Sequence, residues 1–182
     1  MKPVSEMTQI ELSAFVQSHL RDYGIDVVLC GGAAAGYYSN KQYVSLDLDL
    51  VNVYSVSRKR IEKAMNEIGF YEQARYFKHP ESLFLVEFPP GPLSIGVEPV
   101  SHIEDIEFAT GTLRIVSATD CVKDRLSAFY YWADRQCLHQ AILVSRATVV
   151  DQAEIERWSI KEGKENEYRQ YLHDLNKNNQ PN

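Results

Sequence analysis

A short apolar run that ends in two glycines constrains the fold of this chain most. Residues 26–30 read Asp-Val-Val-Leu-Cys, and a nearly continuous apolar run of this length predicts a buried strand. Gly31-Gly32 breaks the run, and the residues from Ala33 to Tyr38 predict a short helix. A strand that passes through glycines into a helix lets a phosphate approach the backbone, and the helix start presents free N–H donors. The segment therefore predicts an α/β unit with an anion-binding turn.

A second segment, residues 44–53, alternates between apolar and polar residues, which predicts a strand with one wet or functional face. Its apolar set is Val44, Leu46, Leu48 and Leu50. Ser45, Asp47 and Asp49 share the other face, and the two carboxylates lie roughly 6–7 Å apart along the chain. Carboxylates at this spacing repel each other unless a cation lies between them, and Mg²⁺ prefers hard oxygen ligands and substrate phosphates. With the glycines, the aspartates predict a site for a metal-bound nucleoside triphosphate.

The remaining pattern predicts a mixed α/β chain. Helices are predicted over residues 5–23 and 57–68, and strands over 83–88, 93–97, 103–108 and 112–116. A helical C-terminal third begins near Ser117, where Ser-Ala-Thr-Asp fits a capping box. Further helices are predicted to begin at Asp134 and Asp151.

Length, charge and cysteine content narrow the class of protein. A chain of 182 residues suits one domain, so we predict a single domain over 1–182, with an α/β core at 24–116 and a helical part at 117–175 packed on it. The net charge of −6 argues against coating nucleic acid by bulk charge, although a local basic cleft is compatible with it. No membrane span and no secretion signal are expected. The chain has three cysteines, Cys30, Cys121 and Cys137, and they form no CxxC pair. This predicts reduced thiols in a cytoplasmic protein.

The double glycine and the Asp-x-Asp pair together resemble the DNA polymerase β-type nucleotidyltransferase superfamily. Within it, the chain is similar to the small minimal-nucleotidyltransferase and AbiEii-type toxin branch, which often carries Arg-x-Thr-x-Asp-hydrophobic-Asp. Residues 43–49 read Tyr-Val-Ser-Leu-Asp-Leu-Asp. Ser45 stands where the Thr stands, whereas Tyr43 replaces the Arg. The resemblance covers about residues 26–141 and implies a small mixed, twisted sheet with flanking helices and a helical C-terminal part.

The same resemblance implies an activity. The protein would transfer a nucleoside monophosphate from a nucleoside triphosphate to an acceptor hydroxyl and release pyrophosphate. Asp47 and Asp49 would hold two Mg²⁺ ions, Gly31 and Gly32 would hold the β- and γ-phosphates, and Ser45 would belong to the nucleotide site. Catalysis would come mostly from in-line positioning and charge neutralisation.

The superfamily also uses a third carboxylate, on a neighbouring strand among hydrophobic residues. Glu87 is the first candidate, because it is a charge inside the strongly apolar run 83–88. It would bind the catalytic metal and act as a base toward the acceptor hydroxyl. Glu98, between Val97 and Pro99, is the second candidate.

Cations in the C-terminal third are candidates for contact with the triphosphate. Members of the toxin branch tend to carry a helix with a Lys and then a basic step that opens the next helix. Lys123 and Arg125 lie on the first predicted helix here, and either could meet phosphate oxygens. Arg135, which follows Asp134, is a further candidate.

Each of these residues also has an ordinary structural interpretation. The glycines could form a simple strand-to-helix turn, Asp47 and Asp49 could be the solvated face of an edge strand, and Lys123 and Arg125 could be surface cations on a helix. The aromatic run 129–132, Phe-Tyr-Tyr-Trp, is expected mainly in the core or half-buried, with base stacking by one ring as the alternative.

Two functions remain open on the sequence, beside a third interpretation in which the chain is a scaffold whose acidic residues all face solvent. One is nucleotidyl transfer, with the acceptor a small molecule, a protein side chain or an RNA 3′ end. The other is a non-catalytic nucleotide-sensing or partner-binding protein on the same fold. A toxin–antitoxin role, with a cognate antitoxin as partner, or a homo-oligomer is compatible with either function.

Overall fold

The computed structural model describes residues 2–100 and 102–177. After a short 3-10 helix at Val4–Glu6, the helices are α1 (Gln9–Asp22), α2 (Gly31–Tyr38), α3 (Arg58–Glu67), α4 (Ala118–Trp132), α5 (Arg135–Ala147), α6 (Gln152–Lys161) and α7 (Glu165–Asn176). The strands are β1 (Val27–Cys30), β2 (Asp47–Asn52), β3 (Tyr71–Gln73), β4 (Tyr76–Lys78), β5 (Leu85–Glu87), β6 (Ser94–Ile95), β7 (Glu98–Pro99), β8 (Ile103–Phe108) and β9 (Gly111–Val116).

Seven of these strands form one mixed sheet in the order β3-β4-β5-β2-β1-β9-β8, while β6 and β7 form a separate two-stranded ribbon. Strand β1 runs antiparallel to β2 and parallel to β9, and β2 runs parallel to β5. The remaining pairs in the large sheet are antiparallel. The predicted fold class, a mixed sheet with flanking helices and a helical C-terminal part, is confirmed.

Side-chain caps determine where several helices begin. Thr8 and Glu11 form a capping box at the start of α1. Ser117 accepts a hydrogen bond from the Asp120 N–H at the start of α4. Asp134 and Asp151 cap α5 and α6 through the N–H groups of the first turn, as the sequence predicts.

The structure differs from the sequence prediction at the start of β2. The strand begins at Asp47, so Leu48 and Leu50 are buried whereas Val44 and Leu46 are exposed. The alternation over residues 44–53 therefore marks a strand only in its second part. The hairpin of β3 and β4 was not predicted, because its residues are polar or aromatic and its turn contains Ala74 rather than a glycine.

One cluster of buried apolar side chains extends from the sheet into the helical part. Helix α4 packs on α5, and both contact α2. Trp158 of α6 is fully buried and stacks on Tyr130 of α4, with ring centroids 5.5 Å apart. Helices α2, α4 and α5 thus converge where β1 ends and β2 begins.

In the described part of the chain, no helix combines the length and apolar character that crossing a membrane requires.

Candidate active site

Strand pairing brings three carboxylates to one face of the sheet. Strands β2 and β5 are parallel, and Asp49 lies directly opposite Glu87 in the register. Asp47, two residues earlier on β2, shares that face because side chains alternate along a strand. Leu48 and Val86, paired on the opposite face, are fully buried. The alternation of buried and partly exposed positions therefore separates the acidic face from the core.

The start of α2 lies directly beside Asp49. Cys30, the last residue of β1, pairs with Asp49, and the chain enters α2 at the next residue. Gly31 has a φ of +70°, and a Cβ at this position would overlap the Oδ2 atom of Asp49. A Cβ at Gly32 would lie 3.2 Å from the Ser45 hydroxyl oxygen. Both glycines thus allow the acidic strand and its preceding segment to approach the helix start closely.

Two residues of α4 complete this corner. The Gly31 N–H donates to the Asp124 carboxylate at 3.3 Å, and the Arg125 guanidinium donates to the same carboxylate oxygen at 2.6 Å and 3.1 Å. Arg125 also donates to the Gln140 side-chain oxygen of α5 at 3.4 Å. The structure therefore brings Arg125 to the glycines. Asp124 also belongs to this site, although the sequence analysis assigned it no role. The only signal for it in the sequence is its position next to Arg125.

Burial and, to a smaller extent, nearby carboxylates raise the pKa of Asp49. Burial raises the pKa of Asp49 to about 6, and the negative charges of Asp124, Glu87 and Asp47 act in the same direction. Arg125 opposes them and holds the pKa below what burial and these charges would produce. The four carboxylates therefore carry more negative charge than the neighbouring Arg125 and Arg75 neutralise, which favours a bound cation.

The donor chemistry fits Mg²⁺, which takes hard oxygen ligands. Asp47, Asp49 and Glu87 supply carboxylate oxygens from adjacent register positions. Within residues 2–100 and 102–177, no group of three acidic, histidine or cysteine side chains already converges as a ligand set. Glu87 pairs with Arg75 at 3.4 Å. A metal ion at Glu87 would therefore compete with Arg75 for this carboxylate.

Two sequence candidates lie elsewhere. Lys123 is almost fully buried, and its ammonium pairs with Asp120 at 2.9 Å and Glu154 at 3.2 Å. The structure therefore does not bring Lys123 to the glycines, because its charge is held between α4 and α6. Glu98 lies on β7, outside the large sheet, and pairs with Arg157 and Lys161 of α6.

The segment before β2 is held on both sides. Ser45 is close to Gly32, and its hydroxyl accepts from the Asp47 N–H at 3.2 Å. The Gln9 side chain of α1 donates to the Ser45 carbonyl at 2.8 Å. Tyr43, which stands where the resemblance expects an arginine, accepts from the Gln136 side chain of α5 at 3.1 Å. Helices α1 and α5 thus hold the segment that leads into the aspartates.

Two cavities flank this site. One of about 240 Å³ lies on the acidic face, between the sheet, α4 and the loop after β5, and its lining includes Cys30, Val51 and Asp124. The other, of about 600 Å³, lies beside the segment before β2, and its lining includes Tyr43 and Phe84. Asp124, which accepts from the Gly31 N–H, lies between the first cavity and the glycines.

No family model matches this sequence, and no curated protein matches it. The solved structures that are similar include the following three. The solution structure of the antibiotic-resistance factor ANT(2'')-Ia has a TM-score of 0.53 at 14% identity, covering 92% of this chain and 94% of that one. ANT(2'')-Ia in complex with adenylyl-2''-tobramycin has a TM-score of 0.57 at 14% identity, covering 86% and 98%. An antigenic nucleotidyltransferase-like protein from Paracoccidioides brasiliensis has a TM-score of 0.59 at 16% identity, covering 93% and 88%.

These likenesses define the class of fold. At such identities a structural match shows shared architecture, and function depends on the particular residues of the site. The chain has a nucleotidyltransferase-like fold, which it shares with ANT(2'')-Ia and with the nucleotidyltransferase-like protein. The similarity to the AbiEii-type branch stays a prediction from the sequence.

Proposed function

We propose that this protein is a metal-dependent nucleotidyltransferase that moves a nucleoside monophosphate from a nucleoside triphosphate to an acceptor hydroxyl. The observation that carries the proposal is the register of β2 and β5. It sets Asp49 opposite Glu87, with Asp47 on the same face and Gly31 beside them. The nucleotidyltransferase-like fold supports the same reaction class.

Each residue has a role that follows from its chemistry. Asp47 and Asp49 would hold two Mg²⁺ ions, with Glu87 as the third carboxylate. Bound Mg²⁺ would neutralise charge on the triphosphate and orient it. The first N–H groups of α2, at Gly31 and Gly32, would donate to the β- and γ-phosphates. They are suited to this because the first N–H groups of a helix have no carbonyl acceptor within the helix.

Arg125 and Asp124 would exchange partners when the nucleotide binds. In the structure the Asp124 carboxylate accepts both the Gly31 N–H and the Arg125 guanidinium. A phosphate group offers oxygens to the same two donors, and a guanidinium forms strong charge-assisted hydrogen bonds with phosphate. Arg125 would therefore contact the triphosphate, as one alternative from the sequence holds.

The chemical step balances without further reactants. The acceptor oxygen forms a bond to the α-phosphorus, and the bond between that phosphorus and the bridging oxygen of pyrophosphate breaks. The hydroxyl proton passes to the carboxylate of Glu87, acting as general base. Positioning and charge neutralisation supply most of the rate, because phosphoryl-type transfer needs little covalent chemistry from the protein.

Transfer of label from α-labelled nucleoside triphosphates tests the proposal. All four triphosphates are offered with Mg²⁺ and cell lysate, and labelled acceptors are separated by size and class. Asp49→Ala should abolish transfer while the protein stays folded. Glu98→Gln is the matched control, because this acidic residue lies outside the large sheet, and it should retain transfer. Transfer retained in Asp49→Ala would remove the assignment of this site.

A nucleotide sensor is the second candidate function. Tyr43 stands where the resemblance expects an arginine, and Glu87 is paired with Arg75 rather than free. A sensor binds the triphosphate and leaves it intact. Binding of Mg²⁺ and triphosphate with no labelled product and no pyrophosphate from any acceptor mixture would favour this function over transfer.

The acceptor is proposed only as a hydroxyl. ANT(2'')-Ia was solved with adenylyl-2''-tobramycin, so an aminoglycoside is a direct probe for a small-molecule acceptor, alongside RNA and protein.

The cytoplasm is the proposed compartment, because the three cysteines are free thiols. A toxin–antitoxin role rests on the AbiEii-type resemblance. Growth arrest by the wild-type chain but not by Asp49→Ala, relieved by a neighbouring reading frame, would support that role.

A further inference from the structure

One stripe of helix α4 continues outward from the glycine corner. Arg125, Ala128 and Trp132 are spaced i, i+3 and i+7, so they lie on the same side of the helix. The stripe becomes more open along the helix: Arg125 and Ala128 are partly buried, whereas Trp132 is exposed. An arginine, a small side chain and an indole thus follow one another along the surface of α4.

Trp132 is one of several large apolar side chains that are exposed in the described residues. It is 83% exposed, whereas the other tryptophan, Trp158, is fully buried. Within residues 2–100 and 102–177, no hydrogen bond or ring contact engages the Trp132 side chain. An indole left open to solvent at the end of a helix offers a flat apolar face to a ligand. The sequence placed this ring mainly in the core or half-buried, and the structure corrects that prediction.

The spacing along α4 matches the parts of a nucleotide. Seven residues of helix rise about 10 Å, so Trp132 lies about that far along the axis from Arg125. Arg125 is at the Gly31 corner, where the proposed function places the triphosphate. Ala128 lies between them on the stripe and has only a methyl group as its side chain.

We propose that Trp132 stacks on the base of the bound nucleoside triphosphate. This inference rests on the proposed function, because the phosphates must lie at Gly31 and Arg125 for the base to reach the indole. Stacking on an aromatic ring tolerates every base, since each has a π-face. Trp132 therefore supplies affinity for the base with little discrimination between bases.

Comparison of a triphosphate with and without a base tests the proposal. Dissociation constants for Mg²⁺-ATP and for Mg²⁺-tripolyphosphate are measured by calorimetry on the whole chain. Trp132→Ala should weaken ATP by about tenfold or more, on the usual scale of base stacking, and leave tripolyphosphate unchanged. Trp132→Phe keeps a ring and should recover most of the affinity. Tyr54→Ala is the matched control, because Tyr54 is 71% exposed and follows β2 at its far end.

Fluorescence gives a second readout. Acrylamide quenches the fluorescence of exposed indoles. In the wild-type protein it therefore quenches Trp132, whereas the buried Trp158 is protected from it. Mg²⁺-ATP should protect Trp132 from quenching, and Mg²⁺-tripolyphosphate should not.

The outcomes separate the two proposals. If ATP binds and Trp132→Ala leaves its affinity unchanged, or weakens tripolyphosphate equally, base stacking is wrong and the proposed function stands. If the wild-type chain binds neither ATP nor tripolyphosphate with Mg²⁺, the proposed function fails and the stacking proposal fails with it. Selective loss of ATP affinity, recovered by Trp132→Phe, supports stacking.

Discussion

Replacing Asp49 with asparagine should stabilise the metal-free protein at neutral pH. The folded protein raises the pKa of Asp49 from 3.8 to about 6. Above pH 6 the carboxylate is therefore charged in a place that disfavours charge, and the charge costs folding free energy. Asparagine has almost the same shape and carries no charge, so Asp49→Asn removes this cost.

The magnitude follows from linkage between protonation and folding. The difference between 3.8 and about 6 corresponds to about 3 kcal/mol when both forms are fully ionised. Because Asp49 is partly exposed, solvent screening reduces the expected gain to about 1–2 kcal/mol. For a chain of this size that gain raises the unfolding midpoint by about 2–8 °C.

The sign of the pH dependence is fixed by the raised pKa. The folded state holds the Asp49 proton more tightly than the unfolded state, so stability is lost as pH rises from about 4 to 6. The advantage of Asp49→Asn should be full at pH 7.5 and fall to about a third of that value at pH 4.5. Thermal unfolding in EDTA at both pH values measures this change.

A control and a metal titration complete the assay. Asp26→Asn removes a carboxylate that pairs with Arg114, and it should lower stability by up to about 1 kcal/mol rather than raise it. Mg²⁺ with triphosphate should stabilise the wild type and not Asp49→Asn, because a ligand that binds only the folded state raises its stability. An asparagine variant no more stable than wild type at pH 7.5, or one whose advantage grows toward pH 4.5, would refute the reasoning.

Three further outcomes are expected. Gly31→Ala should lose stabilisation by Mg²⁺-triphosphate and unfold at lower urea than Gly163→Ala, because both glycines have positive φ but only the first Cβ meets another side chain. Arg75→Gln should lower the Mg²⁺ concentration for half-maximal transfer by about two- to fivefold, because it frees Glu87 from its ion pair. An unchanged Mg²⁺ concentration would show that Arg75 does not compete with Mg²⁺ for Glu87. Lys123→Met should cost about 3–5 kcal/mol in urea unfolding, because it removes the ammonium that pairs with the buried carboxylate of Asp120. Triphosphate affinity should be retained in the folded fraction, and selective loss of affinity would instead place Lys123 at the phosphates.

Local sequence signals predicted the elements that local physics controls. Ser117, Asp134 and Asp151 mark helix starts because their side chains satisfy N–H groups a few residues away. The apolar run 26–30 predicted β1 because a central strand is buried on both faces.

Features that depend on distant contacts could not be predicted in the same way. Arg75 reaches Glu87 only because the β3–β4 hairpin pairs with β5, and the exposed residues of β3 gave no apolar alternation. Lys123 and Arg125 look alike in the sequence, yet α4 turns them to different neighbours. Which cation meets the glycines is set by helix packing.

The parallel pairing of β2 with β5 has a consequence for how the protein matures. Asp49 and Glu87 are separated by residues 50–86, and only completed pairing of these strands sets them side by side. The entropy cost of closing so long a loop comes before the contacts between the two strands can stabilise the chain. A nascent or partly folded chain therefore lacks the full acidic set, and nucleotide binding would report that the central sheet has closed.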